Sequence, residues 1–191
     1  MAGLGSTSIY IAVSLILASL FFQKWLSSGR RETLVNAVIV AWSGTIYLNF
    51  FFEIIPSSLT YYADWIVSTP LILLSLGYTV EGRLSKETVM ASFLQFITIL
   101  SGLFATTSSN TTSLAYYSVG VVSMLGVFYY IYNMERIADY PVLVGIIVPT
   151  WIAYALIWWQ TGGDLILAQN ALITLPFISK HVFTTYKEYF V

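Results

Sequence analysis

The sequence predicts an all-α integral membrane protein, a seven-transmembrane-helix bundle, and three observations predict it. Hydrophobic residues fill 58% of the 191 positions and charged residues only 9%; with a mean hydropathy of +0.79, such a chain would precipitate as a water-soluble domain. A helix needs about 20 apolar residues to cross the hydrocarbon, and windows of that length select seven spans: 7–26, 33–54, 58–79, 87–106, 113–133, 139–159 and 164–187. The basic residues, finally, fall on alternate connections. Lys24, Arg30 and Arg31 lie in the first, Arg83 and Lys86 in the third, Arg136 in the fifth, and Lys187 at the C-terminus. The even connections and the N-terminus hold none, so the odd connections and the C-terminus are expected in the cytoplasm and the N-terminus outside.

The spans use nearly the whole chain, which predicts one domain over 1–191 with no linker, repeat or second domain. The first span lacks a basic leader and precedes more spans of its own kind, so it is taken as helix one and not as a cleaved signal. The absence of cysteine excludes disulfides, zinc–thiolate sites and iron–sulfur clusters. No metal site and no nucleic-acid partner is expected. The protein is placed as a multi-pass protein of the cell (plasma) membrane, with the lipid bilayer as its first partner.

Span one is apolar on all sides over 8–23 and is read as scaffold. Span two contains Asn36, Trp42, Ser43 and Tyr47, with Glu32 before it and Glu53 at its far end. Both glutamates read most simply as interfacial charges, with a proton-relay role as the alternative. In span three, Asp64 follows Tyr61 and Tyr62 and precedes Trp65, Ser68, Thr69 and Pro70. A shallow, hydrated Asp64 and an ordinary membrane-helix kink at Pro70 are the plain readings. Yet Asp64 and Ser68 stand at i and i+4 on one face, with Trp65 beside them, a cluster that belongs inside the bundle. Span four offers Gln95. Tyr117, Gly120 and Met124 share a face of span five, as do Trp151, Tyr154 and Trp158 in span six. Each stripe alone reads as packing or an interfacial belt. Together with Trp65 they describe a pocket for a long, flat, apolar ligand.

Span seven carries Lys180 in an otherwise apolar run, about 10 Å of helix from the charged Lys187 and Glu188. An ammonium at mid-membrane costs about 2.5–3.5 kcal/mol on the lenient insertion scale. It could snorkel to the headgroups, form a buried ion pair, or serve as a covalent attachment point. Lys180 and Asp64 are the only ionisable residues of opposite sign well inside spans, and their helices run in the same direction. Side chains lean toward the helix N-terminus, which brings Lys180 toward the level of Asp64, where each charge offsets the other's desolvation. A neutral lysine is the competing state.

These residues resemble the microbial (type 1) rhodopsins. The pattern YADW-x-x-[S/T]TPLxLL over 62–74, WxAYxxxW over 151–158 and the lysine of span seven carry the resemblance, which covers all seven spans with shortened outer connections. It implies all-trans or 13-cis retinal bound covalently at Lys180 as a protonated Schiff base, a cation that a nearby carboxylate favours. Asp64 would be the counterion. Trp65, Ser68, Thr69, Tyr117, Gly120, Met124, Trp151, Tyr154, Trp158 and Pro176 would form the retinal pocket, and Tyr47 would support the counterion side. A homo-oligomer, by resemblance a trimer, is also implied.

Three departures from the outward proton pumps of that family bear on function. Tyr61 replaces an arginine three positions before the counterion, Pro176 replaces a second aspartate four positions before the lysine, and Ser75 replaces the internal proton donor. These resemble the xenorhodopsin and Anabaena sensory rhodopsin branch, and the aromatic at 61 is especially like the xenorhodopsins, which move protons inward. The family's proline in span six is Ala155 here, with Pro149 nearby, so a kink is expected at a different place. The resemblance implies a light-driven inward proton pump and not an enzyme. The alternative is a retinal photosensor that signals through a partner protein. Candidates for the proton path are Tyr47, Tyr61, Asn36, Ser75, Glu32, His181 and Glu188. His181 lies about 100° round from Lys180 and reads more simply as a packed or interfacial histidine. Where the branch often has an aspartate two turns beyond the lysine, this chain has Lys187, with Glu188 next.

Overall fold

The computed structural model describes residues 2–52, 54, 57–134, 139–164 and 169–191, without the side chains of 2–4, 57, 58 and 169. Glu53 and Arg136 lie outside the described residues, as does the start of the seventh span.

Six apolar runs wind into helices long enough to cross a bilayer: α1 (Ala2–Ser28), α2 (Arg31–Phe51), α3 (Ser57–Glu81), α4 (Lys86–Thr107), α5 (Asn110–Asn133) and α6 (Tyr140–Thr161). A seventh rod follows in three parts: α7 (Gln169–Pro176), a π-helical segment (Phe177–Val182) and α8 (Phe183–Phe190). Local chemistry sets the ends. Ser85 caps α4 by accepting from the Thr88 amide at 3.1 Å, and Gly162 ends α6 in the left-handed region at φ 62°.

Helix bounds depart from the expected spans where polar residues continue a helix that hydropathy cuts short. α1, α3 and α4 overrun their windows at both ends. α2 falls short of 54 and stops at Phe51: the Phe52 amide still makes the last helical bond, to the Leu48 carbonyl at 3.1 Å, but the Phe52 backbone leaves helical geometry at ψ 7°.

The seventh rod is the larger correction, since 164–187 was expected as one uniform helix. Pro176 has no N–H, so the carbonyl of Leu172 loses its intrahelical donor. The hydroxyl of Tyr47 on α2 donates to that carbonyl instead, at 2.9 Å. The backbone then runs through a π segment containing Lys180, an irregularity found mostly at functional sites. By contrast α6 carries Pro149 within one continuous helix.

Consecutive helices pack from α1 on α2 through α4 on α5, and the seventh rod closes the bundle against α1, α2 and α6. Where α3 meets α4, a Cβ on Gly77 would overlap the Thr88 side chain, so the missing side chain permits the approach. Polar side chains are gathered inside the bundle, beside an apolar core, while its outer surface is apolar. Asn36, Ser43, Asp64, Ser75 and Lys180 are fully buried while Val122 and Leu156 are exposed, the arrangement expected where lipid is the solvent.

Candidate functional site

Lys180 and Asp64, both with side chains 0% exposed, form an ion pair through Asp64 Oδ2. The lysine does not snorkel. Its Nζ also lies 3.3 Å from Ser43 Oγ of α2, and Ser43 shares a 2.6 Å hydrogen bond with the hydroxyl of Tyr10 on α1. Asp64 Oδ1 has no partner among the described residues. Ser68, one turn from Asp64, turns its hydroxyl back onto the Asp64 carbonyl at 2.7 Å.

Helix α1 is therefore more than scaffold, which corrects the sequence expectation. Tyr10 stacks on Tyr47 at 4.3 Å and meets the His181 ring edge-on at 4.6 Å. Ser14 shares a 2.7 Å hydrogen bond with His181 Nε2. His181 is thus packed against α1, one residue round from the face that carries Lys180. Tyr61 is buried against Trp65 and Tyr47, with ring centroids at 5.9 and 6.3 Å. The Tyr47 hydroxyl is committed to Leu172 and not to Asp64.

On the other side of Trp65 lies an apolar cavity between α3, α4, α5 and α6. Trp65, Thr69, Tyr117, Gly120, Met124, Trp151, Tyr154 and Trp158 all line it. Ser68 and Pro176 do not: the one turns its hydroxyl onto its own helix and the other ends α7, just before the π segment. Trp65 packs on Tyr154 at 4.7 Å and Tyr117 stacks on Trp158 at 4.4 Å. Thr106 of α4, not anticipated from the sequence, ties the wall together. It accepts from Trp158 Nε1 at 2.9 Å and shares a 2.7 Å bond with the Tyr62 hydroxyl. Gln95 donates to Thr69 at 3.2 Å. Glycines shape the far wall, where a Cβ on Gly102 would stand 3.2 Å from the Tyr62 ring and one on Gly120 3.4 Å from the Thr98 carbonyl.

A second polar cluster occupies the end of the bundle that carries the C-terminus. Lys187 Nζ donates to Ser75 Oγ at 2.6 Å, Ser75 donates to Asn36 Oδ1 at 2.5 Å, and Asn36 Nδ2 donates to Glu188 Oε1 at 2.7 Å. Glu188 Oε2 takes Thr33 at 3.1 Å, Arg30 at 3.2 Å and Lys24 at 3.3 Å. Lys187 and Glu188, expected as a charged tail, are 3% and 4% exposed. Glu32 pairs with Arg30 at 3.5 Å, outside this ring.

Between the two clusters the same three rods bring apolar side chains together, beside a Thr184 whose hydroxyl is turned onto the Lys180 carbonyl. Ile39 lies between Asn36 and Ser43 on α2, Ile72 between Ser68 and Ser75 on α3, and Phe183 between Lys180 and Lys187. All three are 0% exposed and belong to one hydrophobic core. Polar, apolar and polar layers thus alternate at helical spacing along the bundle axis.

The family model for bacteriorhodopsin-like proteins matches residues 4–187. The chain belongs to that family. This microbial rhodopsin is 32% identical to sensory rhodopsin I of Haloarcula marismortui over 107 residues, covering 51% of this chain and 44% of the relative. Bacteriorhodopsin-II of the same organism is 28% identical over 108 residues, with 51% and 43% covered. The chain spans about half the length of the curated relatives it matches. Among solved structures, that of the inward H⁺ pump xenorhodopsin superposes with a TM-score of 0.83 at 28% identity, covering 97% of this chain and 91% of the other. Cyanorhodopsin from Calothrix sp. NIES-2098 superposes at 0.85 with 17% identity, covering 97% and 93%, which speaks for the fold. The microbial rhodopsin is a multi-pass membrane protein of seven rods. Rhodopsins use retinal, and the residues present fit that group: a buried primary amine beside a carboxylate, and an apolar cavity walled by flat rings that begins one residue from Asp64.

Proposed function

We propose that the protein is a light-driven inward proton pump with retinal held covalently on Lys180 as a Schiff base. The observation that carries this reading is the asymmetry around Lys180 Nζ. Among the described residues one carboxylate, Asp64, meets it. Pro176 and Ser75 stand where outward pumps carry further carboxylates. Bound there, retinal supplies light absorption and a bond rotation. The protein's own residues do the rest. Asp64 offsets the charge on Lys180 Nζ, Ser43 orients its proton, and the rings of Trp65, Trp151, Tyr154 and Trp158 restrict which rotation is possible while excluding water. With no carboxylic acid at Ser75 to return a proton from the cytoplasmic side, the proton on Lys180 Nζ departs in that direction. Its replacement arrives from the outer side past Tyr61 and Asp64. The resemblance to the xenorhodopsin structure, described as an inward pump, supports the direction. The basic residues at the C-terminal end, Lys24 and Arg30 on Glu188, support a cytoplasmic C-terminus.

The second reading, a photosensor acting through a partner, is favoured by the 32% identity to sensory rhodopsin I. One measurement separates them: the pH of an illuminated, unbuffered suspension of cells carrying the protein and retinal. Inward pumping alkalinises the medium, and a protonophore abolishes the change. Acidification excludes inward transport, and a constant pH favours the sensor. Lys180→Ala removes the visible band; a visible band that survives sinks the attachment site.

A further inference from the structure

The ring at the C-terminal end contains two titratable residues that face the membrane interior, and their surroundings differ. Glu188 Oε1 accepts from Asn36, and Oε2 is surrounded by Thr33, Arg30 and Lys24. Lys24 Nζ also binds the Glu188 backbone carbonyl. Two cations and two neutral donors thus surround the carboxylate, three of them at Oε2 and one at Oε1, so both oxygens of Glu188 are already engaged.

Lys187 is the opposite case. It is 3% exposed, and among the described residues it makes no ion pair and has Ser75 Oγ as its hydrogen-bond partner, at 2.6 Å. Because Ser75 spends its only hydrogen on Asn36, it must accept from Lys187. An ammonium has three hydrogens to place and this site satisfies one, whereas a neutral amine places one and keeps a lone pair. The charged groups acting on Lys187 are Glu188 on its own helix, Lys24 of α1, and Arg30 and Glu32 at the start of α2. Two are cations and two are anions, and Glu188 and Arg30 are already engaged with each other.

We propose that Lys187, and not a carboxylic acid, receives the transported proton. In the dark Lys187 Nζ is a neutral amine; the proton released from Lys180 Nζ crosses the Ile39–Ile72–Phe183 layer and adds to the Lys187 lone pair, giving an ammonium that later returns its proton to the cytoplasmic water. An N–H bond breaks at Lys180 and one forms at Lys187; on release that N–H bond breaks and an O–H bond forms on water. The inference rests on the inward-pump reading for its direction, while the dark state of Lys187 does not.

The test has two parts. Nitrogen-15 NMR of the lysine-labelled, retinal-loaded protein in lipid, kept in the dark, is expected to show a neutral amine signal that Lys187→Met or Lys187→Arg removes. Finding that signal at the ammonium position overturns the proposal. The second part uses Lys187→Arg, which keeps a long basic side chain but is permanently charged and cannot accept a proton. It is expected to keep the visible band and to reduce the light-driven pH change at least tenfold. Undiminished transport in this variant overturns the proposal, as does a light-induced carboxylic-acid infrared band that Glu188→Gln removes. If the unmodified protein gives no pH change at all, the pump reading fails, and the dark NMR signal still decides the state of Lys187.

Discussion

Deleting one partner of the Lys180–Asp64 pair tests whether the two charges sustain each other. In Lys180→Met, Asp64 keeps its complete burial and loses its cation, and Oδ1 already lacks a partner among the described residues. Stranding one half of a buried pair costs about 3–5 kcal/mol. The same range applies to Asp64→Leu, where Lys180 keeps only the Ser43 hydroxyl at 3.3 Å. Independent effects would sum to about 6–10 kcal/mol in the double variant. If the pair is the cause, removing both charges also removes both desolvation penalties, and Lys180→Met/Asp64→Leu falls within about 2 kcal/mol of the unmodified protein. The assay is unfolding of the retinal-free protein from mild detergent into increasing SDS, followed by tryptophan fluorescence. Retinal must be absent because the Met variant lacks the amine proposed to hold it. Losses that simply add would refute the argument and mean that each residue is held by something other than its partner.

Two further outcomes follow from packing. Tyr47→Phe leaves the Leu172 carbonyl without the hydroxyl that replaces the missing Pro176 amide, which lowers stability in the same assay by about 1–3 kcal/mol; combined with Pro176→Ala, which restores an intrahelical donor, the loss shrinks. Gly77→Val drives a side chain into Thr88 and costs about 1–3 kcal/mol by overpacking, while Gly77→Val/Thr88→Ala recovers part of it.

Hydropathy made the seven rods legible because a bilayer imposes one length on every apolar helix, and charge bookkeeping made the meeting of Lys180 and Asp64 legible because only two opposite charges lay deep in the sequence. The cavity rings were legible for a related reason, since aromatic stripes on α5 and α6 have a helical period that points each stripe one way. The contributions of α1 were not. Tyr10 and Ser14 sit in a run where tyrosine and serine are cheap enough in lipid to pass as packing; the packing of α1 on α2 brings Tyr10 to Ser43, and the closure of the seventh rod onto α1 brings both to His181. The burial of Lys187 and Glu188 was hidden as well. A charged pair at the end of a span reads as a solvated tail until the rotation of α8 toward Ser75 and Asn36 is known. The π segment has no hydropathy signature at all; Pro176 was its one trace.

The layer of Ile39, Ile72 and Phe183 has an electrical consequence. It covers about two helical turns, roughly 10 Å of a hydrocarbon about 30 Å thick. A dry, poorly polarisable slab takes up membrane voltage in proportion to its thickness, so about one third of the potential falls between Lys180 and Lys187. A proton crossing it toward an electrically negative cytoplasm gains about 0.8 kcal/mol per 100 mV, a third of the full-membrane value, and its rate changes about fourfold over that interval. The proposed transfer between the two lysines is thus one of the steps that the cell's own voltage acts on.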